Sequence, residues 1–391
     1  MQPKTAHSAR ALRSQGALAV LRHVHAHPSA TRADAARALG LSSGSATEIT
    51  SRLKAARLAE ETAPPRTGGR GRPSPALTAH PDGPLGCVVD IGHEEWRVAC
   101  VELGGRVITE DTGRHSGSSR LVGTLAAHVA ALHAHYGRRV RAVSVCAAGT
   151  VSRTTIVQAS GLGWRDVDLG PLTPPGIPLL VGNNATLAGL ADARRGAGAA
   201  ARAVLHLTVE VGVGGILVVD GRPVDGATGA GGEFGHMPFG DPALECPCGA
   251  RGCWDLEIDG RAMARALDRP PPPDPRTAAG EIIASAPSDP AARDAVARAA
   301  HALGRGMGAL VNGLDPDVVT LSGLALDLAA TAPAPLEEGY TSALMRYRRA
   351  APPPVLPSPL GPQGPLIGAA DAAFDVLLTE EGLDAWSRAQ A

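Results

Sequence analysis

Apolar residues recur at helical spacing through the first sixty positions of the chain. Leu12, Ala17, Leu18, Leu21 and Val24 form one face of a first helix, which Pro28 ends. Thr31, with Asp34 three residues on, is a variant of the capping box and starts a second helix. Ala35, Ala38 and Leu39 are its apolar face, and Gly40 closes it. After a short turn at Leu41 and Ser42, a third helix is predicted from about Ser43 to Arg57. Its inner face is Ala46, Ile49 and Leu53, while Ser43, Ser45, Thr47 and Thr50 are expected outward near its start. Helix, short turn with Gly, helix is the helix-turn-helix pattern. A Gly- and Arg-rich loop from Arg66 to Pro73 and a returning strand at Pro75–Leu77 add a wing.

Beyond Leu85 the pattern turns to short apolar runs bounded by glycine. Strands are predicted at 85–92, 96–105 and 106–110, then a helix at 121–135 and a strand at 140–146. A strand at 179–181 leads through Asn183 and Asn184 into a helix at 185–195. The order then recurs, with strands at 203–210, 216–219 and 222–224. Helices follow at 260–267, 277–285 and 291–314, then a strand at 318–323 and a last helix at 366–378. This is a mixed α/β layout. Two similar strand-turn-strand openings, at 86 and 203, predict two lobes with a cleft between them.

Charge sharpens this division. Residues 1–80 carry 12 Lys/Arg against 4 Asp/Glu, and the remainder 25 against 34. A basic head on an acidic body is an electrostatic footprint for nucleic acid on the head alone. Small hydroxyls at Ser43, Ser45 and Thr47 suit base edges and phosphates in a major groove, and Arg32 is counted with them. Arg70 and Arg72, on a thin loop, suit a minor groove. Non-specific phosphate binding, or a three-helix interaction module without DNA, are the plainer alternatives. No apolar run reaches the length of a membrane span, and no apolar segment with a cleavage site follows the N-terminus. A cytoplasmic protein with reduced thiols is expected.

Three of the six cysteines fall within eight residues, Cys246, Cys248 and Cys253, with His236 ten residues before them. This spacing matches a closed, structural Cys3His zinc site. Buried free cysteines or a disulfide are the alternative. Glu233 and Asp255 flank the segment, and two acceptor-only carboxylates on one rim suit a polyhydroxylated ligand. A carboxylate at 233 that only braces the loop is the plainer role.

Gly232, Glu233, Gly235 and His236, followed by Cys246, Cys248, Gly249, Gly252, Cys253 and Asp255, resemble the ROK family (repressors, open reading frames and kinases) in its repressor branch. The resemblance spans essentially the whole chain. It implies a winged helix-turn-helix (1–80) fused to a two-lobed actin/hexokinase-like ATPase fold. The lobes would be 86–200 and 201–391, with the C-terminal helix packing back on the first. By the same resemblance His236, Cys246, Cys248 and Cys253 bind zinc. Glu233, His236 and Asp255 contact sugar hydroxyls, and Asn183 and Asn184 lie beside the sugar.

The departures from the family pattern bear on catalysis. Family kinases have an aspartate base where this chain has Asn184, and an amide has no useful basicity at neutral pH. The first phosphate turn reads Asp90, Ile91, Gly92, His93, Glu94, and the second begins at Glu210, so each carries a carboxylate where a triphosphate would lie. Asp255 replaces a longer glutamate, and Gly161-Leu162 stands near where an asparagine is usual. The expectation is a non-enzymatic, sugar-responsive regulator that binds a double-stranded operator, a repressor of carbohydrate uptake or catabolism genes, working as a homodimer or homotetramer without membrane attachment. An active ATP-dependent sugar kinase with an accessory head, and a ligand-independent regulator with a vestigial pocket, are the alternatives.

Overall fold

The computed structural model describes residues 4–63, 74–92, 94–118, 120–159 and 162–390. Arg70 and Arg72, the whole loop from Arg66 to Pro73, His93, Gly161 and the side chain of Leu12 lie outside the described residues. The chain divides into two compact units. One comprises 1–146, 168–181 and 369–391, and the other 147–167 and 182–368.

The first unit opens with α1 (Lys4–Ala26), α2 (Arg32–Ala38) and α3 (Ser43–Ala55), then an antiparallel pair, β1 (Ala59–Thr62) and β2 (Ala76–Ala79). The capping box at Thr31 forms in both directions: Asp34 N donates to Thr31 Oγ1, and Thr31 N to the Asp34 carboxylate. Ser42 Oγ caps α3 by accepting from Ser45 N. Leu18, Leu21, Val24, Ala35, Ala46, Ile49 and Leu53 are buried together with Val20. Thr50 corrects the sequence reading. It is 4% exposed, because it follows Ala46 by four residues on the same helix face, and its hydroxyl returns to Ala46 O at 2.8 Å.

A five-stranded sheet follows, built from β3 (Leu85–Ile91), β4 (Glu95–Glu102), β5 (Val107–Arg114), β6 (Val140–Ala147) after helix α4 (Arg120–Tyr136), and the later β10. Between β6 and β10 come three short strands in their own sheet, β7 (Thr150–Ser152), β8 (Thr155–Ala159) and β9 (Trp164–Asp168). β10 (Leu179–Asn183) then completes the order β10-β6-β3-β4-β5.

The second unit repeats that plan. After α5 (Asn184–Arg195) come β11 (Ala203–Val209), β12 (Val213–Val219) and β13 (Arg222–Pro223), then α6 (Gly260–Ala266), α7 (Pro275–Ser285) and α8 (Pro290–Leu314). β14 (Val318–Gly323), α9 (Leu324–Thr331), α10 (Pro333–Ala343), α11 (Arg346–Arg349) and β15 (Val355–Pro357) follow. The sheet order is β13-β12-β11-β14-β15, with β14 and β15 added parallel on one side of β11 and an antiparallel hairpin on the other. The chain ends with α12 (Gly364–Leu377), which passes from the second unit to the first, and α13 (Glu380–Gln390). The apolar pattern did not reveal α9, α10 or α13.

Aromatics make up only 3% of the chain, and the second core is correspondingly built by close approach of backbones. α8 buries Ala292, Ala295, Val296, Ala299, Leu303, Met307 and Leu310 on one face. A methyl added at Gly304 would lie 2.1 Å from Leu336 O, and one at Gly339 would lie 2.2 Å from His301 O. Glycine at these positions therefore lets α8 and α10 pack almost backbone to backbone. Among the described residues, no helix is long and apolar enough to cross a membrane.

Candidate metal and ligand site

The segment between β13 and α6 folds into a tight loop. Cys246 N donates to Ala250 O at 2.8 Å, and Gly249 N to Cys246 O at 2.9 Å. Gly249 has φ of +94°, a left-handed conformation that a side chain would strain. Gly240 N to Gly252 O and Gly252 N to Leu244 O tie the loop's two arms together. The donor atoms of His236, Cys246, Cys248 and Cys253 consequently all lie within 4.8 Å of one another. Cys246 Sγ is 3.7 Å from His236 Nδ1, and Cys248 Sγ is 3.7 Å from Cys253 Sγ.

These four side chains fit a zinc-type ion. A tetrahedron with bonds of about 2.3 Å has ligand-to-ligand edges of about 3.7–3.8 Å, the spacing of the Cys246–His236 and Cys248–Cys253 pairs. All six cysteines are free, so the disulfide alternative is not realised. Burial and the adjacent thiols push the Cys253 thiol up to about 12, and burial also raises Cys246. Three thiols this close do not ionise together unaided, whereas a divalent cation would stabilise their thiolates.

The carboxylates behave differently from each other. Glu233 Oε2 lies 3.8 Å from His236 Nε2, and its side chain is 36% exposed. Asp255 is 9% exposed, and its Oδ1 accepts from Val213 N at 2.6 Å. Its Oδ2 is 3.7 Å from His236 Nδ1. Burial raises the Asp255 pKa, against the pull of the Val213 amide. A methyl at Gly235 would fall 2.0 Å from Asp255 Oδ1, so glycine there makes room for the carboxylate. Asp255 thus pins the metal loop to the start of β12.

Asn183 and Asn184 open α5. Asn183 is engaged at both ends: its Oδ1 caps Ala185 N at 2.7 Å, and its Nδ2 donates to Gly149 O at 2.7 Å. Asn184 Oδ1 also accepts from Ala185 N, at 3.0 Å. A methyl at Gly214 would lie 2.6 Å from Ala185 Cβ, so the start of α5 and Asp255 both border residues 213–214. Neither the double engagement of Asn183 nor the role of Val213 was visible in the sequence, because both depend on backbone atoms distant along the chain.

The second of the two positions read as phosphate turns is occupied by a side chain. Glu210 forms an ion pair with Arg276, in the first turn of α7. A methyl at Gly323, which has φ of +63°, would lie 2.7 Å from Glu210 Oε1. The Glu210 carboxylate therefore covers the carboxyl end of β14. In the first unit, burial raises the pKa of Asp90.

In the head, Ser43, Ser45 and Thr47 are exposed. Thr47 Oγ1 donates to Ser43 O at 2.9 Å, and Ser45 Oγ bonds Ser42 Oγ at 2.9 Å. Arg32 is held by Glu61, at 2.5 Å.

Comparison with known proteins places this geometry. A profile described as the ROK family matches residues 86–375. A glucokinase of Streptomyces coelicolor is 28% identical over 308 residues, covering 73% of this chain and 96% of the glucokinase. The xylose repressor of Bacillus spizizenii is 26% identical over 128 residues, 32% of this chain and 33% of the repressor. The crystal structure of a ROK family transcriptional regulator, a homolog of the E. coli MLC protein, superposes with a TM-score of 0.72 at 22% identity. It covers 95% of this chain and 99% of that one, a likeness of fold.

Proposed function

The chain belongs to the ROK family, and from that premise we propose that it is a sugar-responsive, DNA-binding transcriptional regulator, a repressor of carbohydrate uptake or catabolism genes. The observation that carries the reading is α3. Its first turn exposes Ser43, Ser45 and Thr47, while Ala46, Ile49 and Leu53 bury the opposite face. A short turn with Gly40 at φ of +63° joins it to α2, and the antiparallel pair β1–β2 follows. This order supports a winged helix-turn-helix whose second helix enters a major groove. The basic balance of residues 1–80 supports it further.

The body reads as a sensor that does not transfer phosphate. Asn184 can donate to or accept from a hydroxyl but cannot take its proton. Glu210 sets a carboxylate, paired with Arg276, at the end of β11 where a polyphosphate would need donors. A zinc-type ion held by His236 Nδ1 and the three thiolates would supply a rigid cross-link. Ligation through Nδ1 leaves the proton of His236 on Nε2, on the side of Glu233. Donor and acceptor then stand side by side, a pairing suited to a sugar diol. Asp255 and Asn183 serve this pair chiefly as struts. Two-fold operators mirror two-fold proteins, so a homodimer or a dimer of dimers is the working assembly.

The glucokinase relative favours one rival, an active kinase carrying an accessory head. ATP-coupled phosphorylation assays on a panel of hexoses, pentoses and N-acetylhexosamines separate the two. The regulatory reading expects no sugar phosphate, and at least one sugar that raises the melting temperature. Turnover of any sugar would overturn it.

A further inference from the structure

The outer face of α3 carries chemistry that its first turn does not. Ala46, Ile49, Thr50 and Leu53 are the buried residues of this helix. At about 100° per residue, the line of positions opposite them runs through 44, 48, 51 and 55. Those residues are Gly44, Glu48, Ser51 and Ala55, and all four are exposed. Three of them are small. Glu48 is the one long side chain on that ridge.

The polar groups that the sequence singles out around α3 are engaged within the head itself. Thr47 Oγ1 donates to Ser43 O, Ser45 Oγ is bonded to Ser42 Oγ, and Arg32 is paired with Glu61. Among the described residues, the Glu48 carboxylate takes part in no hydrogen bond or ion pair. It differs in this from Asp34, which completes the capping box, and from Glu61. A bare acceptor thus stands at the centre of the exposed face, in a head that carries 12 Lys/Arg against 4 Asp/Glu.

Cations flank the ridge rather than share it. At the same helical period Arg52 falls on one side of the line and Lys54 on the other, and both are exposed. A helix about 10–12 Å across fills a major groove about 12 Å wide. With the ridge on the groove floor, Arg52 and Lys54 face the phosphates of the two strands, and Glu48 faces base edges. A carboxylate there opposes binding to a polyanion of any sequence unless a base donor meets it. The base donors in a major groove are cytosine N4 and adenine N6. Adenine sets its N7 acceptor beside that donor, whereas guanine and thymine offer acceptors alone. A group that can only accept therefore selects cytosine.

We propose that Glu48 is a specificity-determining residue of α3, accepting from the N4 amino group of a cytosine in the operator, while Arg52 and Lys54 hold the flanking phosphates. This rests on the regulatory reading above and assigns base selection to a side chain beyond the first-turn hydroxyls. The same carboxylate rejects guanine and thymine at that position by facing their acceptors, so it discriminates by repulsion as well as by attraction.

The test selects duplexes from a random-sequence double-stranded library with the full chain and with Glu48→Gln, Glu48→Ala and Arg52→Gln. Position 48 is exposed, so thermal melting of its variants should match the parent's. The parent should enrich a motif with one required cytosine, and any other base there should weaken binding by about tenfold or more. Glu48→Gln should change that position to adenine, because an amide donates to N7 and accepts from N6, and should leave the rest of the motif intact. Glu48→Ala should accept any base at that position and bind unrelated duplexes more tightly than the parent. Arg52→Gln should keep the motif and lower the slope of log affinity against log salt by about one. An unchanged motif in both Glu48 variants would overturn the proposal and leave the regulatory reading standing. A parent that enriches no sequence would overturn both.

Discussion

Adding one methyl group at Gly306 tests how the core of the second unit supports the metal loop. Gly306 lies on α8 beneath Trp254, and a Cβ there would sit 2.1 Å from Trp254 Cε2 and 2.2 Å from Cζ2. Comfortable carbon contacts lie at about 3.5–4.0 Å, so the indole must move by more than an ångström. It has little freedom to do so. Trp254 is 1% exposed, its Nε1 donates to Ala302 O at 2.9 Å, and it stands between Cys253 and Asp255. Overpacking of this kind costs about 1–3 kcal/mol, and loss of the buried indole bond adds about 1 kcal/mol. Alanine in a helix returns about 1 kcal/mol relative to glycine. Gly306→Ala should therefore destabilise the second unit by roughly 1–3 kcal/mol on these terms, and should speed release of bound metal to a chelator. Urea unfolding, with chelator-monitored metal loss, reads both. A midpoint equal to or above the parent's, as helix propensity alone would give, would refute the packing argument.

Two further outcomes follow from the same geometry. Cys248→Ala should reduce metal content from about one ion per chain to near zero and lower the melting temperature, because a structural site contributes folding free energy; metal analysis after gel filtration checks it, and full retention of metal would count against the four-residue site. His206 is wholly buried, and burial lowers its pKa from 6.5 to about 4. Below about pH 6.5 the unfolded chain takes up a proton that the folded chain refuses. Stability should thus be level above that pH and fall as pH drops toward about 4, by at most roughly 3 kcal/mol. Urea midpoints across this range should show the slope in the parent and a weaker one in His206→Gln; identical slopes would contradict it.

Some of this architecture is written in local pattern. Thr31 and Asp34 announce a helix start because both bonds of a capping box span only three residues. Cys246, Cys248 and Cys253 announce a metal loop because their spacing is itself the geometry of a turn. Thr50 was misread because a hydroxyl looks outward in a polar stretch, whereas the helix period carries it inward behind Ala46. Other features have no local signature. Trp386 Nε1 donates to Ala56 O, and the two residues are 330 positions apart, so nothing near either residue in the chain announces their contact. Asn183 was read as a neighbour of the sugar from the family resemblance, and Asp255 as a ligand contact from its place flanking the motif. In the structure their polar atoms also meet Gly149 O and Val213 N, partners that carry no side-chain signal.

The central claim is that a sugar held at Glu233 and His236 changes how the head binds DNA. Fluorescence anisotropy of the selected duplex with the zinc-loaded full chain, with and without each sugar of the panel, tests it most directly. The account predicts that one sugar shifts duplex affinity by about fivefold or more, and that Glu233→Gln removes the shift while leaving sugar-free affinity unchanged. Duplex affinity indifferent to every sugar, or a shift that survives Glu233→Gln, would contradict it.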